Sequence, residues 1–410
     1  MSVVGPRAWL DFPLKPFQFD GELAPSKSQL LRHFLLATWN PELLGSLRGR
    51  SSAEDVRAAE GATEAWNQGH RTFTVGASAT WLRLLALRLT RVPGTYTLLG
   101  SPRLFERPQG SLRGVLRALG TEVAPAPGRW EVRVEKVIPL AKAFALVSAS
   151  LEETSQVASA LVLNAWNDVH GAELRVPAAA VSLTYLEMSL GVVTAFGGEV
   201  TRDGDLIRVR AVQPPIPPHS LGLEADASTA FTVAVLGLLG GKACIRNFPD
   251  ENSRQADLRF LDLFTQMGIQ FTRSGRTFEI LRQDVATLRP LSANIAHCPD
   301  LFPVLAALLA FVPGRSELRG AAHLEGKESP RITKTAELLR ALGRKVEVFS
   351  DGLAITGDSS LPPSPFTFDP EDDHRMAFAA AVLGAQGGRL RLLTPEVVTK
   401  SFPELWSHFS

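Results

Sequence analysis

Two carboxylates stand where short polar segments give way to apolar runs. Asp300 follows Cys298-Pro299 and precedes the apolar stretch that ends at Val312, and Glu328 lies within Lys327-Glu328-Ser329-Pro330-Arg331. Carboxyl groups with different charged neighbours can hold separated pKa values, so one accepts a proton while the other donates one. Cations recur in the same kind of setting. Ala24-Pro25-Ser26-Lys27-Ser28-Gln29-Leu30-Leu31-Arg32 opens an apolar helix, with Ser26 or Ser28 as its N-cap and Lys27 and Arg32 in or near its first turn. Cations there oppose the helix dipole, an arrangement that makes physical sense where an anion binds. Phe105-Glu106-Arg107-Pro108 places an arginine before a proline in an expected extended loop, and Asp372-Asp373-His374-Arg375 and Lys400-Ser401-Phe402-Pro403 lie near the end. Ser329 reads as a helix cap and Pro330 as the first helical residue. Thr154-Ser155-Gln156 offers two hydroxyls and an amide at a helix start, and Gly76-Ala77-Ser78-Ala79-Thr80 is a turn of small side chains that lets backbone N–H groups approach a ligand.

Arginine grips carboxylate and phosphate bidentately, so cations in this pattern make sense where an anion binds. Each residue also has a plainer account. A single arginine can be a surface ion pair worth about 0–1 kcal/mol. Asp300 can be an N-cap, Glu328 a partner of Lys327 or Arg331, Tyr185 a core residue at a helix start, and His374 a supporting side chain.

The elements that must position these residues follow from composition and pattern. The chain has 410 residues, 45% of them apolar and 21% charged, a globular profile with room for two domains of about 200 residues. Lys plus Arg number 43 against 42 Asp plus Glu, so no global positive field attracts nucleic acid or anionic lipid; anions must be held by local clusters. Two cysteines, Cys244 and Cys298, do not make a disulfide framework and fit a reducing, cytoplasmic setting. The segment Met1 to Leu14 is broken by Pro6, Arg7 and Asp11 and does not read as a signal peptide. The runs Phe302 to Val312 and Ala230 to Leu239 fall short of the ~20 residues that span a bilayer and read as buried helices. No His/Cys cluster has metal-ligand spacing and no glycine-rich loop matches a nucleotide fingerprint, so neither metal nor cofactor is expected.

A phrase repeats along the chain: apolar helix end, glycine, strand, turn, strand. It occurs at Leu116 to Val134, Thr194 to Arg210, Phe264 to Leu281 and Leu338 to Thr356, with Gly120, Gly197 or Gly198, Gly268 and Gly343 as C-caps. The copies lie roughly 70–77 residues apart, longer than a solenoid repeat. Weaker copies around Glu64 to Val75 and at the C-terminus bring the expected number of units to about six, three per lobe. Pro214 to Pro218 reads as a stiff connector, and Gly21 to Pro25 as a second crossing point that would place residues 1–20 with the C-terminal half.

In this order, these segments resemble the 3-phosphoshikimate 1-carboxyvinyltransferase family (5-enolpyruvylshikimate-3-phosphate synthases) over nearly the whole chain. Glu54-Asp55-Val56-Arg57, Ser182 to Tyr185, Ala225-Asp226-Ala227-Ser228 and Asn252 to Gly268 add to the resemblance. It implies an α/β (α+β) fold of two lobes, each of three βαβαββ repeats, with the active site in the cleft between them. Residues 21–223 would form the lobe with the shikimate 3-phosphate contacts; 1–20 plus 224–410 would carry the acid/base residues and part of the phosphoenolpyruvate site. The implied reaction moves the enolpyruvyl group of phosphoenolpyruvate to the 5-hydroxyl of shikimate 3-phosphate through a tetrahedral intermediate, with no cofactor, in a cytoplasmic monomer that binds neither nucleic acid nor membrane.

By the same resemblance, Asp300 accepts the hydroxyl proton and Glu328 protonates the methylene carbon, with Lys27 assisting. Lys27, Ala79, Arg107 and Gln156, then Arg331, His374, Arg375 and Lys400, would hold phosphoenolpyruvate. Lys27, Ser28, Arg32, Thr154, Ser155 and Gln156, then Ser182, Tyr185, Asp300, His323 and Lys327, would hold shikimate 3-phosphate. The chain departs from the family pattern where Ala77 replaces Asn and Ala79 replaces Gly; the latter change implies insensitivity to glyphosate. His323 stands for Asn, Glu325 for Arg, and Leu183-Thr184 for Lys-Pro. Pro330 stands for an Asp, which would cost Arg331 a carboxylate neighbour. Two other readings compete: a UDP-N-acetylglucosamine enolpyruvyl transferase, whose loop cysteine would stand where this chain has Phe105 to Gln109, and a non-catalytic binding protein that kept the fold.

Overall fold

The computed structural model describes residues 9–12, 16–168, 170–211, 214–360 and 365–409. Most of the segment read above for a leader lies outside the described residues. The four repeated phrases fold as their pattern dictates. Helices Gly110–Ala118, Leu183–Ala195, Phe260–Met267 and Arg331–Ala341 each run into a two-stranded hairpin. Gly120, Gly197, Gly268 and Gly343 take φ of 67°, 90°, 82° and 84°. That left-handed conformation is strained for any side chain with a Cβ, which is why glycine marks each helix end.

Three of these hairpins complete four-stranded sheets of one topology: strand, helix, strand, helix, hairpin. In each, the first strand pairs parallel with the second, and the hairpin lies antiparallel beside the second. One runs Thr72–Gly76, helix Ala79–Leu89, Gly94–Gly100, helix Gly110–Ala118, then Thr121–Ala126 and Arg129–Val134. The next runs Ser292–Asn294, helix Phe302–Leu309, Gly314–Arg319, helix Arg331–Ala341, then Lys345–Phe349 and Gly352–Gly357. The third begins with Phe17–Gly21 and resumes two hundred residues later with helix Ala227–Gly240, Gly241–Ile245, helix Phe260–Met267, then Thr272–Ser274 and Thr277–Leu281.

The two weaker copies differ from expectation. Helix Glu54–Asn67 leads into Thr72–Gly76, which pairs parallel with Gly94–Gly100 and forms no hairpin with the segment after it. Helix His374–Ala385 leads into Leu390–Leu393, flanked by Phe366–Phe368 and Trp9–Asp11. The described residues therefore form five sheets, the smallest two having three strands each.

The chain divides into two compact units: the residues up to Ala24 with those from Glu224 onward, and Pro25–Leu223. Each has its own continuous apolar core. The proline-rich stretch is not itself the crossing. Ile216 donates its N–H to the Phe196 carbonyl, and Asn40 Nδ2 bonds the Pro215 carbonyl, so the stretch is tied into the second unit. Among the described residues no helix is long and apolar enough to cross a membrane. The apolar runs are buried helices, as their length required.

These buried helices constrain where polar groups can sit. In Ala227–Gly240 and His374–Ala385 nearly every residue is buried, and the charged or hydroxyl side chains crowd the N-terminal turns. A helix start leaves N–H groups needing partners, so polar side chains are tolerated there at least cost.

Candidate active site

In the first unit the starts of four helices converge on one charged cluster. Arg331 is the first residue of its helix and is 2% exposed. Its Nε donates to Asp373 Oδ2 at 2.8 Å, Nη1 to Asp300 Oδ1 at 2.9 Å, and Nη2 to Glu328 Oε2 at 3.1 Å and Asp373 Oδ1 at 3.2 Å. Burial works against its charge, but Asp373, Glu328 and Asp300 more than offset this and hold the guanidinium above its ordinary pKa. Arg375, one residue into its helix, donates from Nη2 to Asp300 Oδ2 and to Ser228 Oγ, at 2.9 and 2.7 Å. Its pKa is raised as well; desolvation opposes this, and Asp300, Asp257 and Asp226 prevail. Lys400, buried at the end of a 3-10 segment, reaches Glu328 Oε1 at 2.9 Å.

Asp300 and Glu328 are thus each held by Arg331 and by a second cation. Asp300 does not cap the following helix, whose start carries no side-chain cap bond, so the plainer account of it fails. Asp373 does two jobs: it is the N-cap of His374–Ala385, accepting from the Arg375 N–H, and the closest ion-pair partner of Arg331.

Three local expectations need correction. Pro330 is the residue before the helix and Arg331 the first within it. Ser329 makes no cap: Pro330 holds the N-cap position, and the Ser329 hydroxyl, one residue earlier, donates to Asp373 Oδ2 at 3.1 Å. Replacing a carboxylate by Pro330 does not leave Arg331 short of carboxylates, since three others meet it through the tertiary structure.

His374 is buried, with Nδ1 3.9 Å from Asp373 Oδ1 and its ring edge-on to Phe378. His323 lies in the 3-10 turn Ala322–Gly326 near Lys327, and neither ring nitrogen has a hydrogen-bond partner among the described residues. Burial first, and then the charge of Lys327, push its pKa down to about 3 from 6.5. The unfolded chain therefore binds one more proton between those values, and stability falls as pH drops through that window. His323→Asn is expected to flatten the fall, read as urea midpoints from about pH 7 down to 4. Parallel curves for the two proteins would refute it.

In the second unit Ser26, not Ser28, caps helix Lys27–Ala37, accepting from the Gln29 N–H. Lys27 Nζ lies 3.0 Å from Asp55 Oδ2, at the start of helix Glu54–Asn67. Arg32 is 1% exposed and binds inward: Nη1 to the Ser28 carbonyl, Nη2 to the Tyr185 carbonyl, Nε to Ser189 Oγ. Burial pulls its pKa down to about 10. These contacts pin two helix starts together. Ser182, before helix Leu183–Ala195, has φ 55° and ψ 31°, a strained conformation for a residue with a Cβ.

Arg107 is buried and extended (φ −61°, ψ 154°), but it ends a short helix, Pro102–Glu106, where a longer loop was expected. The Ser101 side chain caps that helix with Pro102 behind it, a local start signal that the pattern Ser-Pro already carried. Ala79 is the first residue of its helix and is buried, with Ser78 as N-cap. Thr154 Oγ1 accepts from the Gln156 N–H, Ser155 is buried at the N-cap of helix Gln156–Leu163, and Gln156 Nε2 donates to Thr80 Oγ1 at 2.9 Å.

Residue patterns did not single out Asp373, Asp55, Ser228, Arg83 or Gln109 as site residues. Asp373, Asp55 and Ser228 lay inside the segments Asp372-Asp373-His374-Arg375, Glu54-Asp55-Val56-Arg57 and Ala225-Asp226-Ala227-Ser228, so their neighbours were the available signal. Arg83 falls one helical turn after Ala79 in the same segment, and nothing in sequence marked Gln109.

A model of the EPSP synthase (3-phosphoshikimate 1-carboxyvinyltransferase) family matches residues 41–409. The chain is 35% identical over 342 residues to the 3-phosphoshikimate 1-carboxyvinyltransferase of Methanoculleus marisnigri, covering 82% of this chain and 78% of that one. It is 30% identical over 422 residues to its counterpart in Methanospirillum hungatei, covering 95% of each. Among solved structures, the EPSP synthase of Acinetobacter baumannii superposes with a TM-score of 0.71 at 19% identity, over 98% of this chain and 97% of that one. The enolpyruvyl transferase NikO of Streptomyces tendae does so with a TM-score of 0.67 at 17% identity, over 98% and 97%. The two superpositions show the shared fold, and the family match, which runs nearly end to end, together with the relatives at 30% identity or more, shows that this chain belongs to the EPSP synthase family.

Proposed function

We propose that this enzyme transfers the carboxyvinyl group of phosphoenolpyruvate to the 5-hydroxyl of shikimate 3-phosphate and releases inorganic phosphate. The observation that carries this reading is the pair Asp300 and Glu328, each bonded to Arg331 and to a second cation, Arg375 or Lys400. Such a cluster suits an anionic substrate. Its guanidinium and ammonium groups can exchange internal carboxylates for the carboxylate and phosphate of phosphoenolpyruvate, at roughly 1.5–3 kcal/mol per charge-assisted bond. A carboxylate that gives up a cationic neighbour takes up a proton more readily. Substrate binding that draws a cation away from one of the two carboxylates therefore favours that group as the acid.

Asp300 takes the proton of the 5-hydroxyl as its oxygen attacks C2 of phosphoenolpyruvate. Glu328 delivers a proton to C3, giving a tetrahedral adduct. The adduct then loses a proton from C3 and expels phosphate from C2, which restores the double bond as an enol ether. In the second unit, Lys27, Arg107 and Gln156 contribute to phosphoenolpyruvate, and Ser28, Thr154, Ser155, Ser182 and Tyr185 to the acceptor. Arg32, bonded inward, supports that set by fixing the Ser28 and Tyr185 backbone. His323 and Lys327 serve the acceptor, and His374 adds to the phosphoenolpyruvate set. One chain carries all these residues, so a monomer suffices, and its two free cysteines, Cys244 and Cys298, suit the cytoplasm.

Phosphate release from phosphoenolpyruvate, measured with and without shikimate 3-phosphate, tests the reaction. Release that requires the acceptor is the expected result. No release with either shikimate 3-phosphate or UDP-N-acetylglucosamine would favour the binding-protein reading. Ala79 carries a further expectation: its methyl at the helix start narrows the phosphoenolpyruvate pocket, so glyphosate inhibits weakly. Ala79→Gly is expected to lower the inhibitory concentration at least about tenfold, the effect of roughly one methyl-sized steric conflict. Equal inhibition of both proteins would remove Ala79 as the cause.

A further inference from the structure

Arg83 lies outside the residues given a role above, yet its side chain joins several of them. It is 7% exposed, one turn into helix Ala79–Leu89. Nη1 donates to Gln156 Oε1, Nε to Gln109 Oε1 at 3.2 Å, and Nη2 to the Pro108 carbonyl at 3.2 Å. Arginine can only donate, so the first contact settles which end of the Gln156 amide is oxygen. The NH2 end then faces Thr80 Oγ1 at 2.9 Å, one residue past Ala79. Gln109 is buried too, and its NH2 group closes on the Leu104 carbonyl at 3.2 Å. One planar fork thus spans three segments: the turn that carries Ala79, the Arg107-Pro108-Gln109 stretch, and the start of helix Gln156–Leu163.

We infer that Arg83 is a positioning residue for phosphoenolpyruvate, fixing the Gln156 amide and the backbone beside Arg107 in one arrangement. It acts through those residues and need not touch the substrate. The inference rests on the proposed reaction, and deepens it by naming what sets the geometry of its anion-holding groups. A lysine keeps the charge but cannot supply three bonds in a plane. It would leave two of the three oxygens without their donor, and the Arg107 stretch and Gln156 would no longer be coupled.

The test compares wild type, Arg83→Lys and Gln109→Leu in steady-state assays, varying phosphoenolpyruvate and shikimate 3-phosphate separately, with thermal unfolding alongside. Arg83→Lys is expected to raise the KM for phosphoenolpyruvate about tenfold or more, and to raise it more than that for shikimate 3-phosphate, a loss typical of misplaced binding groups. Gln109→Leu removes one arm of the fork and is expected to raise the same KM about threefold. A folded Arg83→Lys enzyme with wild-type KM would show that charge alone suffices and would overturn the inference. So would equal rises for both substrates that track a lowered Tm. If Arg83→Lys does not fold, Gln109→Leu decides: a raised KM supports the inference and a wild-type KM overturns it. Failure of the wild-type enzyme to release phosphate would instead sink the proposed reaction, which keeps the two outcomes apart.

Discussion

Asp300→Ala is expected to lower kcat by a factor of about 10²–10⁴, the usual contribution of a positioned general base. The KM for phosphoenolpyruvate should not rise in proportion. Asp300 occupies one N–H group on each of Arg331 and Arg375, and removing it frees those donors for the substrate's anionic groups. A KM that holds while kcat collapses is the signature of an interaction made in the transition state, and a KM that falls reports in addition the freed donors on the two arginines. The fold should survive, because the Asp300 side chain is 29% exposed and both arginines keep other partners, Asp373 and Glu328 for one and Ser228 for the other. Asp300→Asn separates charge from shape: it can still accept a hydrogen bond but cannot take the proton, so it should be nearly as slow as the alanine variant. Single-turnover measurement of adduct formation checks the step directly. A kcat within tenfold of wild type in both variants would remove Asp300 as the base.

The second large effect concerns stability. Arg331→Met should cost about 3–5 kcal/mol, the range found when one partner of a buried ion pair is removed. The reason is Asp373, which is 0% exposed and meets Arg331 Nε at 2.8 Å. Without the guanidinium its charge keeps the Ser329 hydroxyl at 3.1 Å and the Arg375 N–H at 2.9 Å, neutral donors that do not replace a cation. In a unit of this size each kcal/mol lowers Tm by about 2–4 °C. Arg331→Lys should fall between, since one ammonium cannot reach three carboxylates in the plane of a guanidinium. The double variant Arg331→Met, Asp373→Leu distinguishes an orphaned charge from a lost contact. It should be more stable than Arg331→Met alone, because burying no charge costs less than burying one unpaired. Denaturant midpoints for the three variants provide the measurement. If Arg331→Met unfolds within about 1 kcal/mol of wild type, the cluster is not the buried, interdependent unit described here.

Local signals survived folding well. The glycines at 120, 197, 268 and 343 end helices because the left-handed conformation they adopt is decided within a few residues. The hairpins after them follow from alternation over adjacent strands. Ser26 was one of two candidate caps, and geometry chose it because its hydroxyl reaches the Gln29 N–H. The weaker copies misled for the complementary reason. A helix followed by one strand looks the same in sequence whether that strand folds back or pairs with a distant one, and Thr72–Gly76 and Leu390–Leu393 pair with distant ones.

The sequence by itself determined which chemical groups this protein has and that they stand at the starts of helices, since capping, proline placement and apolar runs are written over a handful of neighbours. What those groups bond to was decided only by the tertiary structure. Arg331 meets Asp300 and Asp373 across 31 and 42 residues, and Lys400 meets Glu328 and Arg375 meets Asp300 across 72 and 75. Spacing along a chain carries no record of such pairs. They form because helix starts from successive βαβ segments are brought to one place, where a buried charge must find an opposite charge at hydrogen-bonding distance or leave the interior.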